Sequence, residues 1–187
     1  LNEMRERILA AAIDLFGEVG YDKASIRELG RRLGVTSAAL YYHFGNKEEI
    51  LLALADTVRE AVEAVVAAGE PITDLAGRRK RILADYFDVV WQHRKLMAVL
   101  ESSLAAVRNL PPGVRTRQAL ERLTELLATD PEAGGRLRAA ASLSLLTSSP
   151  RLVGRLSEPL ARRHLLAAAR GALEYAADEL TVGSSGG

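Results

Sequence analysis

The chain contains no cysteine, which excludes disulfides and takes thiolates out of any metal or redox chemistry. It has three histidines, His43, His93 and His164, which lack metal-ligand spacing. There is no glycine loop of the kind that cradles phosphate, and no nucleophile, base and orienting group fall into a catalytic pattern. The expectation is therefore a protein that is not an enzyme and carries no cofactor. No apolar run reaches about 18 residues and no signal-peptide pattern is present, which points to the cytoplasm and to no membrane partner. Charge of one sign is also lacking. The net charge is +1, and residues 1–50 hold seven basic against eight acidic side chains. This weakens any model based on a bulk attraction for polyanions, and the positive charge for a nucleic-acid contact has to be local, from Arg27, Arg31, Arg32 and Lys47, with His43 as a neutral donor. No repeat with a period of about 20–50 residues occurs, so a solenoid is not expected.

What the chain does have is punctuation. Asn2 to about Val19 reads as a first helix with an inward stripe of Ile8, Ala12, Leu15, Phe16 and Val19, stopped by Gly20. Ser25 followed by Glu28 has the spacing of a capping box, and Ile26, Leu29 and Leu33 then recur at helical spacing. Gly34 follows, where a left-handed residue ends a helix at little steric cost. Thr36 is placed to cap another helix, with Val35 and Leu40 as its hydrophobic staple. Two short helices around a glycine turn within about twenty residues form the helix-turn-helix arrangement used to read DNA.

At about 100° per residue, the second of these helices turns Leu40 and Phe44 inward and Ala38, Tyr41 and Tyr42 outward, with Ser37 and His43 at the boundary. A small residue and two phenols are an unusual outer face. Small side chains let a backbone approach a groove, and a tyrosine offers a flat apolar ring with a hydroxyl that reaches phosphate. In the alternative reading, Tyr41 packs partly in the core and Tyr42 is simply exposed. Asn46 with Glu49 repeats the box spacing and puts Lys47 in the first turn of a long fourth helix, where a cation joins the free amides in attracting phosphate. A lysine paired with a neighbouring carboxylate is the other reading.

F-G-E-V-G-Y at 16–21, S-I-R-E-L-G at 25–30, G-V-T-S-A-A-L-Y-Y-H-F at 34–44 and then Lys47 closely resemble the TetR family of bacterial transcriptional regulators. The likeness covers about the first 50 residues. It implies an all-α homodimer with an N-terminal three-helix DNA-binding domain and a larger helical domain for ligand binding and dimerisation, in which the ligand usually releases DNA. On this reading Arg27, Thr36, Ser37, Ala38, Tyr41, Tyr42, His43 and Lys47 form the surface for double-stranded operator DNA. Ala38 and Ala39 fill positions where a long polar side chain would read bases, which limits direct readout.

The fourth helix is expected to reach about Ala68, with Gly69, Glu70 and Pro71 at its end. Helices then follow over about 74–92 and from the H-R-K break at 93–95 to about Val107. Pro111, Pro112 and Gly113 read as a loop before a leucine-rich helix. Asp130 and Pro131 start another helix, ending near Ser149 and Pro150, and Ser157 and Pro159 start the last, ending near Leu180. The expected divisions are 1–47, the helix-turn-helix domain; 48–70, a connecting helix; 71–181, the effector and dimerisation domain; and 182–187, a flexible tail. A start at Leu1 leaves room for a missing N-terminal arm. The last two long helices carry small residues (Ala139, Ala140, Ala141 and Ser144; Ala167, Ala168, Ala169, Ala172, Ala176 and Ala177) punctuated by Leu137, Leu165, Leu166, Leu173 and Leu180. They suit close packing between two copies, although alanine is also simply the best helix former. Aromatics are only 5% of residues, yet Tyr86, Phe87 and Trp91 fall on one helix with Met97 just beyond. With Glu101 as a polar contact, they are the candidate lining of a pocket for a small, mainly apolar effector. The function expected is that of a repressor released by such a ligand; the alternative is a constitutive or architectural dimeric DNA-binding protein.

Overall fold

The computed structural model describes residues 2–103, 111–128, 133–152 and 156–175. These hold nine helices and no strand: α1 (Asn2–Val19), α2 (Ile26–Leu33), α3 (Ser37–His43), α4 (Lys47–Gly69), α5 (Leu75–Gln92), α6 (Arg94–Ser102), α7 (Pro111–Leu127), α8 (Ala133–Leu152) and α9 (Glu158–Glu174). The fold is all-α, as the periodicity predicts. Among the described residues, no helix is long and apolar enough to cross a membrane.

In α1, Ile8, Ala12, Leu15 and Phe16 are buried, but Val19 is exposed. It is the last helical residue before Gly20 (φ 84°), where the chain turns away from the core. The α2–α3 turn is tightly determined. Gly34 is left-handed (φ 69°), its N–H donates to the Arg31 carbonyl at 3.4 Å, and the Val35 N–H donates to Gly30 at 3.0 Å. This pair of bonds is a Schellman closure, which satisfies two carbonyls that the end of a helix leaves orphaned. The Ser25 hydroxyl accepts from Glu28 N–H at 3.1 Å and Thr36 from Ala39 N–H at 3.2 Å. The Ser25 box is only half made, because the Glu28 carboxylate turns to Arg31 and Arg32 instead of returning to the cap.

α4 runs from the N-terminal unit into the body, packing on α1 at one end and on α5, α6 and α7 along its length. Arg78 and Arg79 of α5 donate to the Leu126 and Leu127 carbonyls at 2.9 and 2.8 Å, closing the C-terminus of α7 with cations where the helix dipole favours them. The Pro111-Pro112-Gly113 run is the first turn of α7 and not a loop. Proline costs nothing there, because first-turn N–H groups have no helical partner. α6 ends at Ser102, short of Val107, and residues 104–110 lie outside the described set, as do Asp130, Pro131 and the stretch from 176 that includes Ala176, Ala177 and Leu180. α8 continues through Pro150 to Leu152.

The small residues of α8 and α9 divide into two sets. Ala139, Ser142, Ala161 and Ala169 are buried, and Ser142 joins the two helices by donating to the Ala169 carbonyl at 2.7 Å. Ala141, Ser144, Ala167 and Ala168 lie on the exposed side, together with Leu137, which is 71% exposed.

Gly30 is the tightest point of the N-terminal unit: a Cβ there would lie 2.9 Å from the Val35 carbonyl oxygen and 3.5 Å from Leu40 Cδ1. Gly30→Ala gains up to about 1 kcal/mol in helix propensity but forces backbone apart, at a cost of about 1–3 kcal/mol. We expect a net loss of stability, measurable by thermal denaturation; a raised melting temperature would contradict the packing.

Candidate nucleic-acid interface and ligand cavity

α3 is held by one face. Leu40 and Phe44 are buried, the Phe44 N–H donates to the Leu40 carbonyl at 3.0 Å, and the rest of the helix is open. Tyr41 and Tyr42 are 52% and 75% exposed, Ala38 is exposed, and Ser37 and His43 are half-buried. Tyr42 meets His43 edge to face at 5.4 Å. Tyr41 is thus outside the buried core, and about half of its surface is covered by its neighbours. Arg5, which no motif singles out, reaches across from α1. Its guanidinium lies 4.3 Å over the Phe44 ring and its Nη1 is 3.5 Å from the His43 carbonyl, bracing the C-terminal end of α3.

The local cations behave differently from one another. Arg31 makes a two-pronged pair with Glu28 at 2.7 and 2.9 Å, and Arg32 bonds Glu18 at 2.6 Å. The Arg31 guanidinium holds the Glu28 carboxyl down to about 2, helped by Arg32. Arg27 is exposed and makes no ion pair among the described residues, so its fork remains available to a ligand. Lys47 has turned inward. Its ammonium donates to the carbonyls of Tyr21, Asp22 and Ala24 at 2.7, 3.3 and 3.1 Å and lies 4.3 Å over the Tyr21 ring. All three protons are used in tying the α1–α2 connection to the start of α4. The Asn46 cap accepts from Glu49 N–H at 2.9 Å, while Glu49 accepts from Gly45 N–H at 2.8 Å. Sequence spacing finds the position of Lys47 but not its partners, which are backbone carbonyls more than twenty residues away.

The body contains an apolar cavity of about 340 Å³. It is lined by Ala55, Val58 and Val62 of α4, Tyr86 of α5, Met97, Leu100 and Glu101 of α6, Gly113, Thr116, Arg117 and Leu120 of α7, and Thr147 of α8. Tyr86, Met97 and Glu101 are brought together there. Phe87 and Trp91 are not in the lining: Phe87 is fully buried, the two rings stack at 5.6 Å, and Arg162 and Arg94 cover them. Residues 86 and 87 are adjacent on a helix and so face different ways, which separates Phe87 and its i+4 neighbour Trp91 from Tyr86. A larger groove of about 460 Å³ between α4 and α7 is walled by Arg59, Glu63, Glu70 and Arg115 and offers little to an apolar ligand.

A capped helix, a Schellman turn and a second capped helix with a bare outer face, set ahead of an all-helical body, define a helix-turn-helix protein. Residues 8–54 match the family of bacterial regulatory proteins described as the tetR family. The chain is 49% identical over 51 residues to the tetracycline repressor protein class A from transposon 1721 of Escherichia coli, covering 27% of this chain and 24% of that protein. It is 30% identical over 95 residues to the HTH-type transcriptional regulator TtgR of Pseudomonas putida, covering 49% and 45%. These matches thus span less than half the length of either relative. The TetR family transcriptional regulator PfmR of Thermus thermophilus has the same fold, with a TM-score of 0.74 at 24% identity over 89% of this chain and 97% of that one. Residues 8–54 therefore form a domain of the kind described for the tetR family of bacterial regulatory proteins, and the whole chain shares the fold of the PfmR structure.

Because the Lys47 ammonium is saturated by carbonyls, Lys47→Met should lower stability by about 1.5–3 kcal/mol, the worth of hydrogen bonds to a charged group, and leave the salt slope of DNA binding unchanged. Denaturant titration and DNA titrations across salt check both; a slope reduced by about one would instead make Lys47 a phosphate contact.

Proposed function

We propose that this chain is a sequence-specific DNA-binding transcriptional regulator, a repressor released from its operator by a small, mainly apolar ligand. The observation that carries the reading is the outer face of α3, where Ala38, Tyr41 and Tyr42 are bare on a helix fixed from behind by Leu40, Phe44 and Arg5. A short helix so mounted can enter a major groove. Ala38 lets its backbone approach, Ser37, Tyr41, Tyr42 and His43 reach base edges and sugar-phosphate, and the Thr36 hydroxyl keeps its proton for a phosphate oxygen. Arg27 supplies the cation free for bidentate pairing with a guanine or a phosphate.

One seven-residue helix offers little affinity, which favours a homodimer with two such helices about 34–36 Å apart. The exposed small-residue side of α8 and α9, with Leu137 standing out from it, suits that contact. Release then follows from continuity, since α4 begins at the Lys47 clamp and passes along the apolar cavity through Ala55, Val58 and Val62. A ligand that prefers a displaced α4 draws the dimer toward the DNA-incompetent state; one with equal affinity for both states shifts nothing. The presence of this cavity favours a ligand-responsive regulator over a constitutive one.

Selection of random duplexes by the purified chain should enrich a palindrome; failure to enrich any sequence would overturn the reading. On that palindrome, Arg27→Ala should cost about 1–3 kcal/mol and relax preference at one base pair per half-site, while Tyr42→Ala should weaken binding with a smaller change in salt slope. Competition titrations against operator variants separate the two effects.

Leu137→Glu places a charge on the proposed dimer face, and light scattering should find a monomer that retains its helical circular dichroism. An unchanged dimer would move the interface elsewhere.

A further inference from the structure

The hydroxyl groups that line the apolar cavity have their protons already assigned. Thr147 Oγ1 is 3.0 Å from the Leu143 carbonyl and 2.7 Å from the Tyr86 hydroxyl. A carbonyl can only accept, and threonine has one proton, so both contacts are made together only when Thr147 donates to Leu143 and Tyr86 donates to Thr147. Thr116, also in the lining, donates to the Pro112 carbonyl at 2.8 Å. The neutral polar groups of the wall therefore present lone pairs and no spare protons. The two charged lining residues, Glu101 and Arg117, are solvent-exposed, whereas Tyr86 is fully buried. Burial raises the Tyr86 phenol above its ordinary range, so it stays protonated and keeps its role as donor to Thr147. Tyr86, Thr147, Arg117 and Leu120 also line a second space of about 200 Å³ toward α8, so the phenol–threonine pair belongs to both.

We propose that the cavity selects apolar molecules bearing a hydrogen-bond donor, an alcohol or phenol, whose proton is received by the Tyr86 oxygen, and that it discriminates against the same skeleton carrying only an acceptor. The inference rests on the effector-cavity reading above and narrows it to a ligand class. At the Tyr86 end of the cavity, away from the Arg117 guanidinium at its solvent side, an acceptor-only ligand would set its oxygen against the Tyr86 and Thr116 oxygens with no proton between them, and the bond lost there is not made up by apolar neighbours.

The test uses the full chain and two probes of one shape, 4-phenylphenol and 4-methoxybiphenyl, titrated calorimetrically. The phenol should bind about three- to tenfold more tightly, the range expected of one neutral hydrogen bond. Tyr86→Phe should abolish the preference. Thr147→Val should shrink it by improving the ether, because the phenol proton is then free to donate. Val62→Phe, which fills the cavity, should abolish binding of both probes, and melting curves confirm that each variant folds. Equal affinities in the unmodified chain, or a preference that survives Tyr86→Phe, would overturn this inference and leave the cavity reading standing. Failure of both probes to bind, or binding unaffected by Val62→Phe, would overturn the effector-cavity reading and this inference with it.

Discussion

The contact between Gly30 and the Val35 carbonyl sets the geometry of the N-terminal unit. α2 must end, reverse and hand over to α3 within three residues, and it does so with backbone lying against backbone. A side chain at 30 would push the turn outward, and the Schellman bonds from Gly34 and Val35 would have to lengthen. α3 is only seven residues long, too short to hold its shape alone, so its outer face is presented only because this turn, the Thr36 cap and the two anchors Leu40 and Phe44 fix it.

Around that turn, charge is used mainly for construction. Glu28 gathers Arg31 and Arg32, Glu18 takes a second bond from Arg32, and Lys47 gathers three loop carbonyls. Of the seven cations in residues 1–50, Arg5, Arg32 and Lys47 join different elements and Arg31 pairs within α2, whereas Arg7, Lys23 and Arg27 make no ion pair among the described residues. On the proposed function, DNA binding by such a surface would depend on fit and on a few directed contacts more than on a long-range field.

The body repeats this economy of polar groups. Arginines close the end of α7, Ser142 joins α8 to α9, and the hydroxyls lining the cavity are each committed to a carbonyl or to one another.

Helix starts and stops were legible in the sequence because caps act locally: Ser25, Gly34, Thr36 and Asn46 each sit where the structure ends or begins a helix. The outward set on α3 was legible too, since the helical period alone separates Ala38, Tyr41 and Tyr42 from Leu40. What the sequence could not determine depends on atoms brought together from distant positions. It could not direct Lys47 to carbonyls of the α1–α2 connection, bring Arg5 over Phe44, or turn Phe87 and Trp91 away from the cavity that Tyr86 lines. Nor could it divide the alanines of α8 and α9 into an inner and an outer face. Spacing along one helix fixes which residues share a side; only the packing of other helices decides what that side meets.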